Sequence, residues 1–195
     1  HNVIPAPYTI YEGIHKLPPG TILSLENYDA QQKPKKYWDA WTIAENNYDE
    51  PFSGSFHQAV DELDGLLLDA VGLRLLGDVP MGVFLSGGID SSTIAALMQS
   101  HSGQPVNSFS IGFSEVQYNE ANHAKAVAKH LGTNHTEFYI SSKEAQDVIP
   151  QLPYIYDEPF ADSSQILTFL LCKKSRKYIK VALTGDGGDE LFGGY

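Results

Sequence analysis

Short apolar runs that alternate with helical segments are the feature that most constrains how this chain can fold. We predict four strands after residue 56, at residues 83–85, 109–113, 136–140 and 180–183. Segments with helical character follow or separate them, at residues 90–98, 120–131, 143–151 and 162–176. Strands joined through helices form βαβ units, whose right-handed crossovers build a parallel sheet. The pattern therefore predicts an α/β fold, a parallel sheet with helices on both faces.

Residues 1–53 show no such alternation. A Pro-Pro-Gly turn precedes the alternating run Thr21–Leu25, and the polar, turn-like stretch 31–36 follows it, which predicts a hairpin. We expect irregular or β structure throughout this part. The composition then shifts to Pro, Ser and Gly, after which apolar residues at helical spacing predict an amphipathic helix over 56–76. We therefore predict two domains, residues 1–53 and 54–195.

The charge balance and the cysteine count limit the partners of the protein. The 13 Lys and Arg against 24 Asp and Glu give a net charge of −11, which opposes binding to nucleic-acid phosphates or anionic lipid. Cys172 is the single cysteine, so an internal disulfide is excluded and a cytoplasmic location is expected. No apolar run approaches the roughly 18 residues that a membrane span needs, and no leader is recognisable. We expect small-molecule partners, with neither nucleic acid nor membrane among them.

A glycine loop, Ser86-Gly-Gly-Ile-Asp-Ser91, lies between the first predicted strand of the sheet and the helix that follows. Phosphate groups bind at this place in a parallel sheet, because backbone N–H groups and the helix N-terminus face the ligand. Two glycines permit the tight turn, and the serines supply hydroxyl groups. Gly82 and Gly87 have the spacing of the common P-loop, but Gly88 and Ile89 stand where that loop needs Lys and Ser or Thr. The loop therefore predicts a phosphate site of a different kind.

A second glycine loop, residues 184–194, follows the last predicted strand and carries Asp186, Asp189 and Glu190. In a parallel sheet this loop opens at the same edge as the first. We expect Asp90 and Asp189 to share a magnesium ion that bridges phosphate oxygens, because this cation takes one or two carboxylates together with phosphate and water. A solvated acidic turn is the alternative interpretation.

Four ordered segments carry a resemblance to a known family. Gly82–Ser92 is similar to the pyrophosphate-binding loop of the N-type ATP pyrophosphatases, which split ATP between its α and β phosphates. Tyr156–Ser164 and Leu183–Tyr195 resemble the glutamine-dependent asparagine synthetases in particular. Residues 4–20 are similar to the end of the glutaminase domain of that family. The resemblance implies an adenine nucleotide alpha-hydrolase-like second domain, preceded by a small β remnant of a glutaminase (class II amidotransferase) domain.

The resemblance also implies a reaction and a set of site residues. Family members activate the side-chain carboxylate of aspartate with ATP as β-aspartyl-AMP, releasing pyrophosphate, and ammonia from glutamine then displaces AMP to give asparagine. The residues implied to bind the pyrophosphate are Ser86, Gly87, Gly88, Asp90 and Ser91. Those implied to bind elsewhere along the nucleotide are Leu85, Ile111, Gly112, Thr184 and Gly185. Asp90 and Asp189 are the implied Mg²⁺ ligands, and Asp186 takes the position of a glutamate thought to assist adenylation.

Two parts of the family pattern have no counterpart in these 195 residues. Nothing matches the N-terminal cysteine nucleophile of the glutaminase half. A lysine that stabilises the adenylation transition state belongs to helices beyond the position of Tyr195. We therefore expect a piece of an enzyme that by itself at most binds nucleotide. Apolar surface left uncovered would favour association, so a homodimer is among the expected partners.

Two other functions stay open at this stage. A related amidotransferase that aminates another carboxylate, on a sugar or antibiotic precursor, would have the same ATP loops. A non-catalytic nucleotide-binding protein would have no chemical need for two magnesium carboxylates. The acids Asp157, Glu158 and Asp162 also have two interpretations, since they either contact the substrate or are favoured by the dipole of the helix that follows.

Overall fold

The computed structural model describes residues 3–25, 33–114 and 121–194. The chain divides into two compact units. The first consists of His1–Ala59 and Leu152–Asp162, and the second of Val60–Gln151 and Ser163–Tyr195. None of the helices in the described ranges is long and apolar enough to cross a membrane.

In its described residues, the first unit contains a short antiparallel strand pair, two whole helices and the start of a third. Strand β1 (Thr21–Ile22) pairs with β2 (Lys35–Lys36), and helices α1 (Ala40–Asp49) and α6 (Leu152–Ile155) belong to the same unit. The antiparallel pairing confirms the predicted hairpin, although β2 occupies residues that we expected in the turn. Of the predicted turn over 31–36, Gln31 and Gln32 lie outside the described residues.

Helix α1 contradicts the prediction that residues 1–53 are irregular or β. The helix begins after Asp39, which is extended and whose carboxylate accepts hydrogen bonds from Thr42 Oγ1 at 2.7 Å and Lys36 Nζ at 2.8 Å. An acid at this position is a helix-start signal. The aromatic and β-branched residues that follow Asp39, such as Trp41 and Ile43, are typical of strands, and the sequence pattern therefore favoured a strand over a helix here.

The second unit is built on a four-stranded parallel sheet. Its strands are β3 (Met81–Phe84), β4 (Asn107–Phe113), β5 (Asn134–Ile140) and β6 (Val181–Leu183), in the order β5-β4-β3-β6. All three pairings are parallel. The predicted fold class is therefore confirmed.

Helices of the second unit precede, connect or follow these strands. They are α2 (Phe56–Arg74, beginning in the first unit), α3 (Ile89–His101), α4 (Ala121–Leu131), α5 (Ser142–Gln146), α7 (Ser164–Ser175) and α8 (Gly188–Phe192). The helix predicted over 143–151 is interrupted, since α5 ends at Gln146 and a separate 3-10 turn spans Ile149–Gln151. Pro150, which has no N–H group to donate, lies in that turn.

The two faces of the sheet have different cores. On one face, Val83 and Leu85 pack with Ala95 of α3 and with Ala124 and Ala128 of α4. On the other face, Phe109 of β4 stacks on Phe138 of β5 at 6.0 Å between ring centroids and lies 5.7 Å from Tyr178, shortly after α7. Helix α7 itself contacts β4. Helices therefore cover both faces, as the alternation of strands and helices predicts.

A polar network lies on the α4 side of β4 and β5. His135 contacts Ser108 Oγ through Nδ1 at 2.8 Å and Ser110 Oγ through Nε2 at 3.1 Å. Burial lowers the pKa of the His135 imidazole; the nearby Glu137 carboxylate raises this pKa and the Lys125 ammonium lowers it. Because burial lowers its pKa, the His135 ring is neutral at neutral pH. Both serines that contact it are buried.

This network predicts a stability that falls on acidification. The folded-state pKa of His135 lies below the unfolded value of about 6.5, so its contribution is fully present above that pH and is lost as pH falls toward the folded pKa. Urea unfolding at several pH values should show a free energy of unfolding that falls as the pH is lowered. In His135→Gln, the free energy of unfolding should depend less steeply on pH than in the wild type. His130 is exposed, so His130→Gln should keep the wild-type pH dependence of the free energy of unfolding. An unchanged pH dependence in His135→Gln would contradict the assignment.

Candidate nucleotide-binding site

The first glycine loop is closed by hydrogen bonds between its two serines. Ser86 Oγ and Ser91 Oγ lie 2.8 Å apart, and the backbone N–H of Ser86 donates to Ser91 Oγ at 3.2 Å. The N–H of Gly88 donates to Ser86 Oγ at 3.2 Å. Ser91 is buried in the first turn of α3, whereas Ser86 and Gly88 are exposed. The loop thus joins the end of β3 to the start of α3 with donors at the surface.

Gly87 is required by both its conformation and its surroundings. Its φ of +86° is a left-handed value that side chains rarely adopt. A Cβ there would lie 2.7 Å from the backbone N of Ala124 and the C of His123, in the first turn of α4. The start of α4 therefore lies against the loop. His123 itself is exposed, and nothing in the local sequence signals this contact.

The second glycine loop lies directly against the first. Because β6 runs parallel to β3, with Leu183 opposite Val83, both loops leave the sheet at its carboxyl edge. A Cβ at Gly185 would lie 2.6 Å from Ser91 N. A Cβ at Gly188 would lie 2.5 Å from Asp90 Cγ. The structure therefore brings the Asp90 carboxylate against Gly188, the residue immediately before Asp189.

The remaining predicted residues lie along the same edge. Leu85 is buried, and its N–H donates to the carbonyl of Phe109 at 2.8 Å. Ile111 and Gly112 follow in β4 toward its carboxyl end, half-buried and buried respectively. In the second loop, the N–H of Asp186 donates to Thr184 Oγ1 at 3.4 Å. The position of each residue fits a nucleotide site, while its role stays a prediction.

Ser92 is a candidate that the predicted site omits. Its Oγ atom is buried and has no hydrogen-bond partner within the described part of the chain. A buried hydroxyl without a partner costs free energy, so it is a feature that needs an explanation. Ser92 closes the motif Gly82–Ser92, and this position in the motif is the signal that could have identified it.

The donor set at this edge fits a magnesium ion that is completed by substrate. Nowhere in residues 3–25, 33–114 and 121–194 do three or more His, Cys, Asp or Glu side chains form a group that could hold a metal. Magnesium does not need such a cage, because it is bound through one or two carboxylates together with phosphate oxygens and water. Asp90 and Asp189, at two adjoining loops, are donors of that type.

The family model for asparagine synthase matches residues 62–195. A Methanocaldococcus jannaschii protein named "Putative asparagine synthetase (glutamine-hydrolyzing) 2" is 37% identical over 195 residues, covering 98% of this chain and 36% of the relative. Asparagine synthetase (glutamine-hydrolyzing) 1 of Bacillus subtilis is 33% identical over 192 residues, covering 98% of this chain and 29% of the relative.

One solved structure to which the chain is similar is the NH3-dependent NAD synthetase from Campylobacter jejuni. It has a TM-score of 0.49 and 17% identity, with 69% of this chain and 60% of that chain covered. Against the curated sequences, the chain spans about a third of the length of the relatives it matches. The family match includes both glycine loops and every strand of the parallel sheet. The chain belongs to the asparagine synthase family.

Proposed function

We propose that this chain is part of an ATP-dependent amide ligase of the asparagine synthetase type. The proposed reaction converts aspartate, ATP and ammonia to asparagine, AMP and pyrophosphate. The observation that carries the proposal is the contact between the two glycine loops at one sheet edge, with the Asp90 carboxylate against Gly188. Two glycine-rich loops, each with an acid, fit the binding of a triphosphate together with magnesium better than the binding of an anion alone, because a carboxylate repels an anion unless a cation lies between them.

Adenylation explains why such a ligase needs ATP. A carboxylate is a poor electrophile, and its oxygen cannot leave as oxide. Attack of the carboxylate on the α phosphorus of ATP forms the acyl adenylate and releases pyrophosphate. Ammonia then adds to the acyl carbon, and AMP leaves with the former carboxylate oxygen. The chain must therefore bind pyrophosphate and stabilise the charge that develops on it.

Each loop has a proposed task in that reaction. Ser86, Gly88 and Ser91 donate hydrogen bonds to the pyrophosphate, and Gly87 permits the turn. Asp90 and Asp189 hold Mg²⁺, which neutralises phosphate charge when bound. The nucleoside side of ATP is assigned to Leu85, Ile111, Gly112, Thr184 and Gly185. Asp186, whose carboxylate is exposed, is the proposed assistant in adenylation.

Ammonia supply and acceptor binding involve the first unit in this proposal. Residues 1–53 are proposed to be the end of a glutaminase domain, with residues 54–195 as the start of the synthetase domain. The segment Tyr156–Asp162 is proposed to bind the acceptor, because its acids repel a triphosphate but attract the ammonium group of an amino acid. A cytoplasmic enzyme, as the single cysteine supports, would find all these substrates in its compartment.

Pyrophosphate release by the protein that contains this chain tests the proposal. With ATP, Mg²⁺, ammonium and aspartate, we expect AMP and pyrophosphate to appear in equal amounts together with asparagine. Glutamate, which has one more methylene, serves as the matched acid. Release with a different carboxylic acid instead of aspartate would favour the related amidotransferase. Absence of release with every acid, despite ATP binding, would contradict a ligase and favour a non-catalytic binder.

A further inference from the structure

Two side chains near the N-terminus hold a segment more than 140 residues away in the sequence, within the first unit. Lys16 Nζ forms an ion pair with the Glu158 carboxylate. It also donates to the carbonyl of Ile4 at 2.6 Å. The hydroxyl of Tyr11 donates to the carbonyl of Asp157 at 3.1 Å, and these two partners are 146 positions apart. One contact fixes a side chain of the distant segment, and the other fixes its backbone.

The N-terminal partners of these contacts are themselves held in place. Thr9 Oγ1 donates to the carbonyl of Ile14 at 2.8 Å and accepts from the N–H of Tyr11 at 3.0 Å. The N–H of Lys16 donates to the carbonyl of Pro7 at 2.9 Å. Tyr11 and Lys16 are therefore presented from an ordered turn, which lowers the entropy lost when they bind their partners.

The Lys16–Glu158 pair is better shielded than the Lys36–Asp39 pair of the same unit. Its side chains are 31% and 18% exposed, compared with 58% and 28% in the Lys36–Asp39 pair of the same unit. Screening by water and salt weakens exposed pairs, so a shielded pair contributes more, and loss of one partner leaves the other poorly solvated.

The positions of Asp157 and Glu158 are not explained by the dipole of the helix that follows them. Helix α7 has Ser163 at its N-cap and no acid in its first turn, and Asp157 and Glu158 lie several residues earlier. The helix dipole acts only within the first turn. Glu158 instead forms an ion pair with Lys16, whereas the side chain of Asp157 is exposed.

We propose that Lys16 is a positioning residue for the acceptor. Its ion pair with Glu158, supported by the Tyr11 hydrogen bond, holds Tyr156–Asp162 in the conformation that binds the acceptor. This inference rests on the proposed function. Lys16, Glu158 and the acceptor segment all belong to the first unit, so we expect loss of the ion pair to act on acceptor binding.

Steady-state kinetics of the protein that contains this chain test the inference. Lys16→Met should raise KM for the acceptor acid about tenfold or more, with KM for ATP within about twofold of wild type. The reversed pair, Lys16→Glu with Glu158→Lys, should recover part of that loss, because it restores the ion pair while a carboxylate at position 16 cannot donate to the Ile4 carbonyl. Lys36→Met, which breaks the exposed pair of the same unit, should behave as wild type. An equal rise in both KM values, or no recovery in the reversed pair, would overturn the proposal.

Hydrogen exchange separates this inference from the function on which it rests. If the wild-type protein releases no pyrophosphate with any acid, the ligase proposal fails, yet Lys16→Met should still speed amide exchange across 157–162. Lys36→Met should not. Equal exchange in the two variants would overturn the positioning role. If Lys16→Met does not fold, Glu158→Gln and Tyr11→Phe, which each remove one contact with little change in volume, give the same readouts.

Discussion

Alanine at Gly185 should weaken ATP binding about 100-fold or more in a protein that still folds. The added Cβ would lie 2.6 Å from the backbone N of Ser91 and 2.9 Å from the backbone C of Asp90. Real Cβ atoms do not approach backbone so closely, and neither atom belongs to a flexible side chain. The second loop and the start of α3 must therefore move apart, which misaligns the donors that are proposed to bind the pyrophosphate.

The matched control is Gly103→Ala. Nothing lies within 4 Å of a Cβ at Gly103, so this substitution tests only the general effect of replacing a glycine. Isothermal titration with Mg²⁺ and ATP measures the affinity, and thermal melts show that both variants fold. Wild-type affinity in Gly185→Ala would mean that the contact between the loops is not needed for nucleotide binding. An equal loss of ATP affinity in Gly103→Ala would mean that the close contact at Gly185 is not the cause of the loss.

The sheet of the second unit could be predicted because its signals are local. Each parallel strand contains a short run of mainly apolar residues, and the first and last strands are followed by glycine-rich loops. The observed bounds differ from the predicted ones by a few residues at most, as with β4, which begins at Asn107 rather than residue 109. Parallel topology alone predicts that both loops open at the same edge of the sheet, whereas their contact also needs β6 to lie next to β3, which only the structure shows.

The first unit was harder to predict because its structure depends on distant contacts. No local pattern indicates that residues 152–162 belong with the N-terminal residues, since the ion pair between Lys16 and Glu158 joins positions that sequence periodicity does not relate. Helix α1 was missed for a different reason, the conflict between strand-favouring side chains and the start signal at Asp39. The same limit applies to the approach of α4 to Gly87, which is a tertiary contact.

Removing either proposed magnesium carboxylate should have the largest effect on turnover. In Asp90→Asn or Asp189→Asn we expect pyrophosphate release to fall on the order of 1000-fold, because stabilisation of the developing phosphate charge is lost. Asparagine keeps the size of the side chain and removes only its charge. Asp64→Asn, an exposed acid on α2, is the matched control and should keep wild-type turnover.

Binding without magnesium separates an electrostatic role of these acids from a structural one. With EDTA present, ATP should bind Asp90→Asn at least as tightly as wild type, because one negative charge next to the triphosphate has been removed. With Mg²⁺ present, the same variant should bind more weakly than wild type. A carboxylate that only supports the loop would weaken binding under both conditions, and that result would contradict the proposed metal site.

The double variant tests whether the two carboxylates serve one ion. Groups that act as a unit give losses that do not add, since the first substitution already abolishes what the second would remove. Asp90→Asn with Asp189→Asn should therefore release pyrophosphate at nearly the rate of the slower single variant. A loss equal to the product of the two single losses would mean that the carboxylates act independently. The shared magnesium ion would then be excluded, although the contact between Gly188 and Asp90 would remain a feature of the site.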